Sequence, residues 1–197
     1  MEVLQISGKN MEKKKDIRRQ VIAERNEMSK EQWWEESLRI TDKLITHPFF
    51  LSADEIYCYI DCKNEVATKK IFEEAWKQGK KTACPKVIGD EMEFYYIQSF
   101  EELEPGYFGV KEPITTMRAQ GKKVLVIMPG VAFDKKNHRI GYGKGFYDKY
   151  LNRNSNYSRV AIAFSFQVLD DVPSDKYDMN PQLIFTEDNI YDGQVAK

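Results

Sequence analysis

The chain has 197 residues, 42% of them hydrophobic and 13% aromatic, which predicts one domain with a sizeable core and excludes a disordered chain. Lys and Arg number 30 against 31 Asp and Glu, a net charge of -1. That balance gives no global field for nucleic acid or an anionic membrane, so any anion site has to be a local cluster.

Residues 1–10 lack a basic start, a long apolar run and a cleavage-like end. They are expected to be an N-terminal extension rather than a signal peptide, with the domain occupying residues 11–197. Residues 13–28 read as a helix with Ile17, Val21 and Met28 on one stripe and Lys14, Arg18 and Arg25 beside it. Ser29-Lys30-Glu31-Gln32 has the form of a capping box. The helix it opens would carry Trp34, Leu38, Thr41 and Ile45 on one face and stop before Pro48.

A strand is expected over residues 55–60 (EIYCYI), a helix over 66–78, and a short strand over 81–84 closed by Pro85. Residues 92–97 (MEFYYI) form the next strand, followed by a Gly/Pro-punctuated segment, 104–113, holding Tyr107 and Phe108. Two continuous apolar runs, 123–128 and 159–164, and a shorter one at 183–185 are of the buried parallel-strand kind, with a short helix near 146–152 between the first two. Strands alternating with helices predict a three-layer α/β/α single domain, Rossmann-like, with a mainly parallel central sheet.

Three cysteines, Cys58, Cys62 and Cys84, cannot all pair, and Cys58-x3-Cys62 lacks zinc spacing. With two isolated histidines, His47 and His138, a structural zinc site is not expected, and free thiols point to a reducing compartment. No apolar run approaches the roughly 18 residues of a membrane span. The chain is therefore expected to be cytoplasmic, with no membrane and no nucleic-acid partner, and a monomer.

The densest chemical signal is MPGVAFDKKNHRIGYGKGFYDKY, residues 128–150, which starts at the carboxyl end of the best strand. Open α/β sheets bind ligands there. Gly141, Gly143 and Gly145 alternate just before a helix, where bare backbone N–H groups and the helix dipole suit an anion. Arg139 offers a fork for two phosphate oxygens, Lys144 a point charge, and Asp148 a carboxylate able to hold Mg²⁺ beside a phosphate. The loop is neither a Walker A sequence nor G-x-G-x-x-G, and alternating glycines alone fit a packing turn equally well.

These residues closely resemble the signature of 5-formyltetrahydrofolate cyclo-ligases, PG-x-x-FD followed by R-[LI]-G-x-G-x-G-[YF]-YD. The resemblance continues in Lys14-x-x-x-Arg18, in Glu65-Val66-x-Thr68 after a strand, and in Asp178 before the last strand, so it spans nearly the whole chain after Asn10. It implies ATP- and Mg²⁺-dependent closure of 5-formyltetrahydrofolate to 5,10-methenyltetrahydrofolate. The formyl oxygen would be phosphorylated and displaced by N10, which asks the protein to position reactants and neutralise charge.

By the same resemblance ATP falls to Lys14, Arg18 and residues Arg139, Ile140, Gly141, Tyr142, Gly143, Lys144, Gly145, Phe146 and Tyr147, with Arg139 and Lys144 as the catalytic cations. Folate falls to Glu65, Phe108, Tyr59, Tyr142 and Phe146, and Mg²⁺ to Asp148 and Asp178. Asp134 is expected to order the glycine loop through backbone amides, and His138 to be a turn histidine in solvent. Three positions depart from the family pattern: Tyr142 where many members carry Arg, Phe146 where many carry Tyr, and Gln182 where many carry an acid. The competing reading is a non-catalytic folate- or nucleotide-binding protein.

Overall fold

Each of the long apolar runs becomes a central strand. The computed structural model describes residues 2–106 and 109–193. Five strands run parallel: β1 (Glu55–Cys58), β2 (Lys81–Ile88), β6 (Val124–Met128), β9 (Ser158–Ile162) and β11 (Leu183–Phe185). β3 (Glu91–Ile97) and β12 (Ile190–Asp192) close the two edges antiparallel. The spatial order is β12-β11-β9-β6-β1-β2-β3.

β6 is buried at all five positions and feeds both sides of the sheet. Leu125 and Ile127 join Ile56, Val160 and Phe185 on one face, while Val126 and Met128 join Tyr57, Phe94 and Leu151 on the other. A strand covered on both faces has no polar side to show, which is why its sequence reads as an unbroken apolar run. Each such side chain stabilises the fold by about 1.5–3 kcal/mol.

The first face is covered by α2 (Lys30–Ile45), α3 (Pro48–Ser52) and α4 (Lys69–Lys77). The second is covered by α5 (Phe146–Arg153) and by a small sheet of β7 (Ala132–Asp134), β8 (Arg139–Ile140) and β10 (Val168–Leu169). The three layers are therefore as expected, but one outer layer is part helix and part sheet. α1 (Glu2–Glu27) lies on that small sheet, packing Ile17, Val21 and Ile22 against Val131, Ala132, Ile140 and Val172. A two-stranded ladder, β4 (Leu103–Pro105) with β5 (Lys111–Pro113), flanks β2.

Three local expectations are corrected. β2 does not stop at Pro85 but runs to Ile88, because β1 pairs with it only over Lys81–Ala83. Beyond that point the missing N–H of Pro85 interrupts no ladder with β1, and the strand continues as a hairpin with β3. Ser29 does cap α2, its Oγ accepting from the Gln32 N–H at 3.1 Å, but the Gln32 side chain turns forward to Glu36, so no reciprocal box forms.

The buried stripe of α2 is Ser37, Ile40, Thr41 and Leu44, and Trp34 is 43% exposed. Trp33 turns inward instead, its indole N–H donating to the Glu65 carbonyl at 2.7 Å, and Ser37 Oγ accepts from the Ala67 N–H at 3.0 Å. Hydrogen bonds to the segment after β1, and not hydropathy, set the rotation of this helix.

β1 and β6 are neighbours whose onward connections lead to opposite sides of the sheet, β1 to β2 and β6 to β9. Their carboxyl ends therefore part at the topological switch point, leaving a crevice.

Candidate active site

A cavity of about 540 Å³ opens at that crevice. The segment after β1 supplies Tyr59, Cys62 and Glu65, the segment after β6 supplies Pro129 and residues 139–148, and α1 reaches over with Lys14 and Arg18. All the described site residues expected from sequence border this one cavity. Phe108 and Tyr107 lie outside the described residues. The hairpin residues Pro85, Val87 and Met92 also line it and carried no sequence signal of a site.

Asp134, which is fully buried, orders the turn between β7 and β8 and not, as expected, the glycine loop itself. Its carboxylate accepts from the backbone N–H groups of Lys136 at 2.9 Å, His138 at 3.0 Å and Val172 at 3.2 Å. His138 is not a free solvent histidine, since its Nδ1 sits 2.8 Å from Asp134 Oδ2.

The three glycines serve different ends. Gly143 at φ +95° and Gly145 at φ +68° occupy backbone regions hostile to side chains, and Gly145 caps α5. A Cβ on Gly141 would come within 2.8 Å of an Arg139 guanidinium nitrogen. Arg18 Nε donates to the Gly141 carbonyl at 2.7 Å, docking α1 onto the loop. Burial lowers the Arg18 pKa from its usual value, opposed by Asp178. Lys144 stands exposed on the loop.

Arg139 turns its fork inward. Nη2 meets Asp148 Oδ1 at 2.6 Å and Nη1 the Pro129 carbonyl at 3.2 Å, while the buried Nε has no partner. Asp148 also accepts from the Met179 N–H at 3.0 Å. Asp178 Oδ2 accepts from Lys14 Nζ at 3.0 Å and from the Asp175 N–H at 2.8 Å, and Lys14 bonds Asp175 at 2.7 Å. Burial works against the Lys14 ammonium, but the two aspartates outweigh it and raise its pKa.

Among the described residues no three His, Cys, Asp or Glu side chains gather around a point, so the protein forms no metal cage by itself. One or two carboxylates completed by phosphate oxygens is nonetheless the donor set Mg²⁺ prefers, and Asp148 and Asp178 are carboxylates that border the same cavity.

At the far end Glu65 is 6% exposed. It follows Lys63 (φ +49°) and Asn64 (φ +58°), two successive left-handed residues that turn it back into the crevice. The Tyr142 hydroxyl donates to Oε1, and Oε2 accepts from the Cys62 N–H at 3.1 Å. Arg25 Nη2 donates to the Tyr142 hydroxyl oxygen at 3.0 Å, and Arg25 is only 1% exposed.

Burial pushes the Glu65 carboxyl above the usual carboxylate range, opposed by the Tyr142 hydroxyl, the Arg25 charge and the Cys62 donors. Burial beside Glu65 pushes the Cys62 thiol up to about 12, so it stays protonated and unreactive. Tyr59 turns its hydroxyl away to the Val66 carbonyl at 3.3 Å and offers the cavity only its ring. Arg25 is the residue that sequence reading left without a role. Its spacing from Arg18 on the same helical face was the available signal.

Sheet order, switch-point crevice and a cavity lined by a basic glycine-rich loop and a buried acid define a doubly wound α/β protein that binds small molecules. Residues 10–187 match the sequence profile of the 5-formyltetrahydrofolate cyclo-ligase family. The chain belongs to that family and is an enzyme, a ligase of the folate group.

A mouse 5-formyltetrahydrofolate cyclo-ligase is 29% identical over 89% of this chain and 94% of its own, and one from Mycoplasma genitalium is 33% identical over 72% and 75%. The solution structure of Aquifex aeolicus 5,10-methenyltetrahydrofolate synthetase is similar with a TM-score of 0.82 at 32% identity, covering 93% of this chain and 94% of that one. A synthetase structure from Mycoplasma pneumoniae has a TM-score of 0.72 at 26% identity, over 88% and 98%.

Proposed function

We propose that this chain closes 5-formyltetrahydrofolate to 5,10-methenyltetrahydrofolate with ATP as co-substrate and Mg²⁺, releasing ADP and phosphate. The formyl oxygen takes the γ-phosphoryl group as its bond to ADP breaks. The N10 lone pair then adds to the activated carbon, the C–O bond breaks, and phosphate leaves carrying the N10 proton. The protein's part is placement and charge neutralisation.

Lys14, Arg18, Lys144 and the loop N–H groups would meet the phosphates, with Arg139 holding Asp148 in register. Mg²⁺, held by Asp148 and Asp178, would neutralise phosphate charge when bound. Glu65 would accept from the pterin donors, with Phe108, Tyr142 and Phe146 flanking the ring system. We further infer a monomer working in the cytoplasm. Among the described residues no helix is long and apolar enough to cross a membrane.

One observation carries this reading: the glycine loop with its cations and the buried Glu65 line one cavity of about 540 Å³, joined at its wall by the Tyr142 hydroxyl. Growth of the methenyl-folate absorbance band tests it, using purified protein with (6S)-5-formyltetrahydrofolate, with and without Mg-ATP, beside Lys144→Ala. Growth that needs ATP and falls at least about 100-fold in the variant is expected, the scale for removing one transition-state charge contact. Folate binding with no turnover would overturn the proposal in favour of a sequestering protein.

A further inference from the structure

Two side chains beside Glu65 carry no chemical step in the reaction above. One is the buried guanidinium of Arg25; the other is Tyr142, in the glycine loop. They meet each other, and the geometry points to a shared role: Arg25, acting through the Tyr142 hydroxyl, is the positioning residue for Glu65, so the folate acid is aligned by α1 and by the glycine loop together. This inference rests on reading Glu65 as the acid that meets the pterin.

A guanidinium 1% exposed demands a counter-charge. Among the described residues Arg25 makes no direct ion pair, and Glu65 is the carboxylate it reaches, through one intervening oxygen. Tyr142 is suited to that place because its hydroxyl accepts from Arg25 and donates to Glu65 at once, which a second cation could not do.

The relay also leaves Glu65 usable. Oε1 holds the tyrosine and Oε2 the Cys62 N–H, while a carboxylate offers about four lone-pair sites. A ligand N–H can therefore bond to Oε1 without breaking the relay. Tyr142 lies between Gly141, whose carbonyl Arg18 grips, and Gly143, so the position of the phosphate loop and the aim of the folate acid are set by one residue.

Around Glu65 stand Tyr142, Arg25, Cys62, Tyr59, Cys58 and Tyr147. Of these Arg25 carries the positive charge. An ionised Glu65 is the form that accepts from the pterin, so binding is lost as pH falls through its elevated pKa. Removing the hydroxyl or the guanidinium removes influences that lower that pKa, and the loss then comes at higher pH.

The test is equilibrium binding of (6S)-5-formyltetrahydrofolate without nucleotide, across the acid and neutral range, to the full chain and to Tyr142→Phe, Arg25→Met, Arg25→Lys and Glu65→Gln. Tyr142→Phe and Arg25→Met should each weaken binding about tenfold, the scale of one lost hydrogen bond to a charged group, and shift the acid limb upward. Arg25→Lys should recover part of both effects. The double variant should be no worse than the weaker single, as for groups acting in series.

If Arg25→Met fails to fold, Tyr142→Phe, which deletes one oxygen and keeps the ring, decides alone. Unchanged affinity and acid limb in Tyr142→Phe, with binding lost in Glu65→Gln, would overturn the relay and leave Glu65 as the folate acid. Binding that survives Glu65→Gln would overturn that reading and the relay with it.

Discussion

A buried carboxylate that accepts three backbone N–H bonds organises a loop whether or not it touches a ligand, and Asp134 does so in the turn between β7 and β8, just ahead of the glycine loop. Asp134→Ala would orphan those donors at about 1–3 kcal/mol for each one left dry. We expect a stability loss of about 3 kcal/mol or more in denaturant midpoints, with ATP affinity falling in the same protein. His138→Ala removes only the partner at 2.8 Å and should cost about 1 kcal/mol with turnover retained. Equal losses in the two variants would show that the ring, and not the carboxylate, organises the turn.

α1 has two jobs on one face of one helix, since Lys14, Arg18 and Arg25 are spaced seven, three and four residues from Val21. Its apolar stripe, centred on Val21 at 1% exposure, holds it to the small sheet, and its cations Lys14, Arg18 and Arg25 reach the cavity or its acid. Packing and ligand binding should therefore fail together. Val21→Ala, which touches no ligand, should cost about 1–3 kcal/mol by the cavity it leaves and should raise the KM for ATP. An unchanged KM in the destabilised protein would separate the two jobs. Among the residues whose side chains are described, those of the helix that face the cavity begin at Lys14, and the family match begins at residue 10. We propose on that basis that deleting residues 2–10 leaves turnover and melting temperature nearly unchanged.

The cavity proposed to take both ligands lies at the switch point between β1 and β6, at the centre of the sheet, so ligand binding should be felt globally. A ligand at 100 times its Kd stabilises the folded state by about 2.7 kcal/mol. Mg-ATP and a folate analogue should each raise the melting temperature, and Tyr142→Phe should shrink the folate shift. No shift with either ligand would place binding elsewhere than this cavity.

The amino-acid sequence by itself determined the central sheet, because strands covered on both faces leave continuous apolar runs. It also determined the glycine loop, because positive φ at Gly143 and Gly145 admits few other residues. Only the tertiary structure decided how α2 rotates, since Trp33 and Ser37 are drawn in by hydrogen bonds to Glu65 and Ala67 from another segment. It decided that β2 outruns Pro85, since that depends on where a neighbouring strand ends. It alone joined Arg25 to Tyr142 and Tyr142 to Glu65, positions 117 and 77 residues apart. Periodicity and turn chemistry are local and survive in one dimension, whereas a charge satisfied through another residue's hydroxyl exists only once the chain has folded.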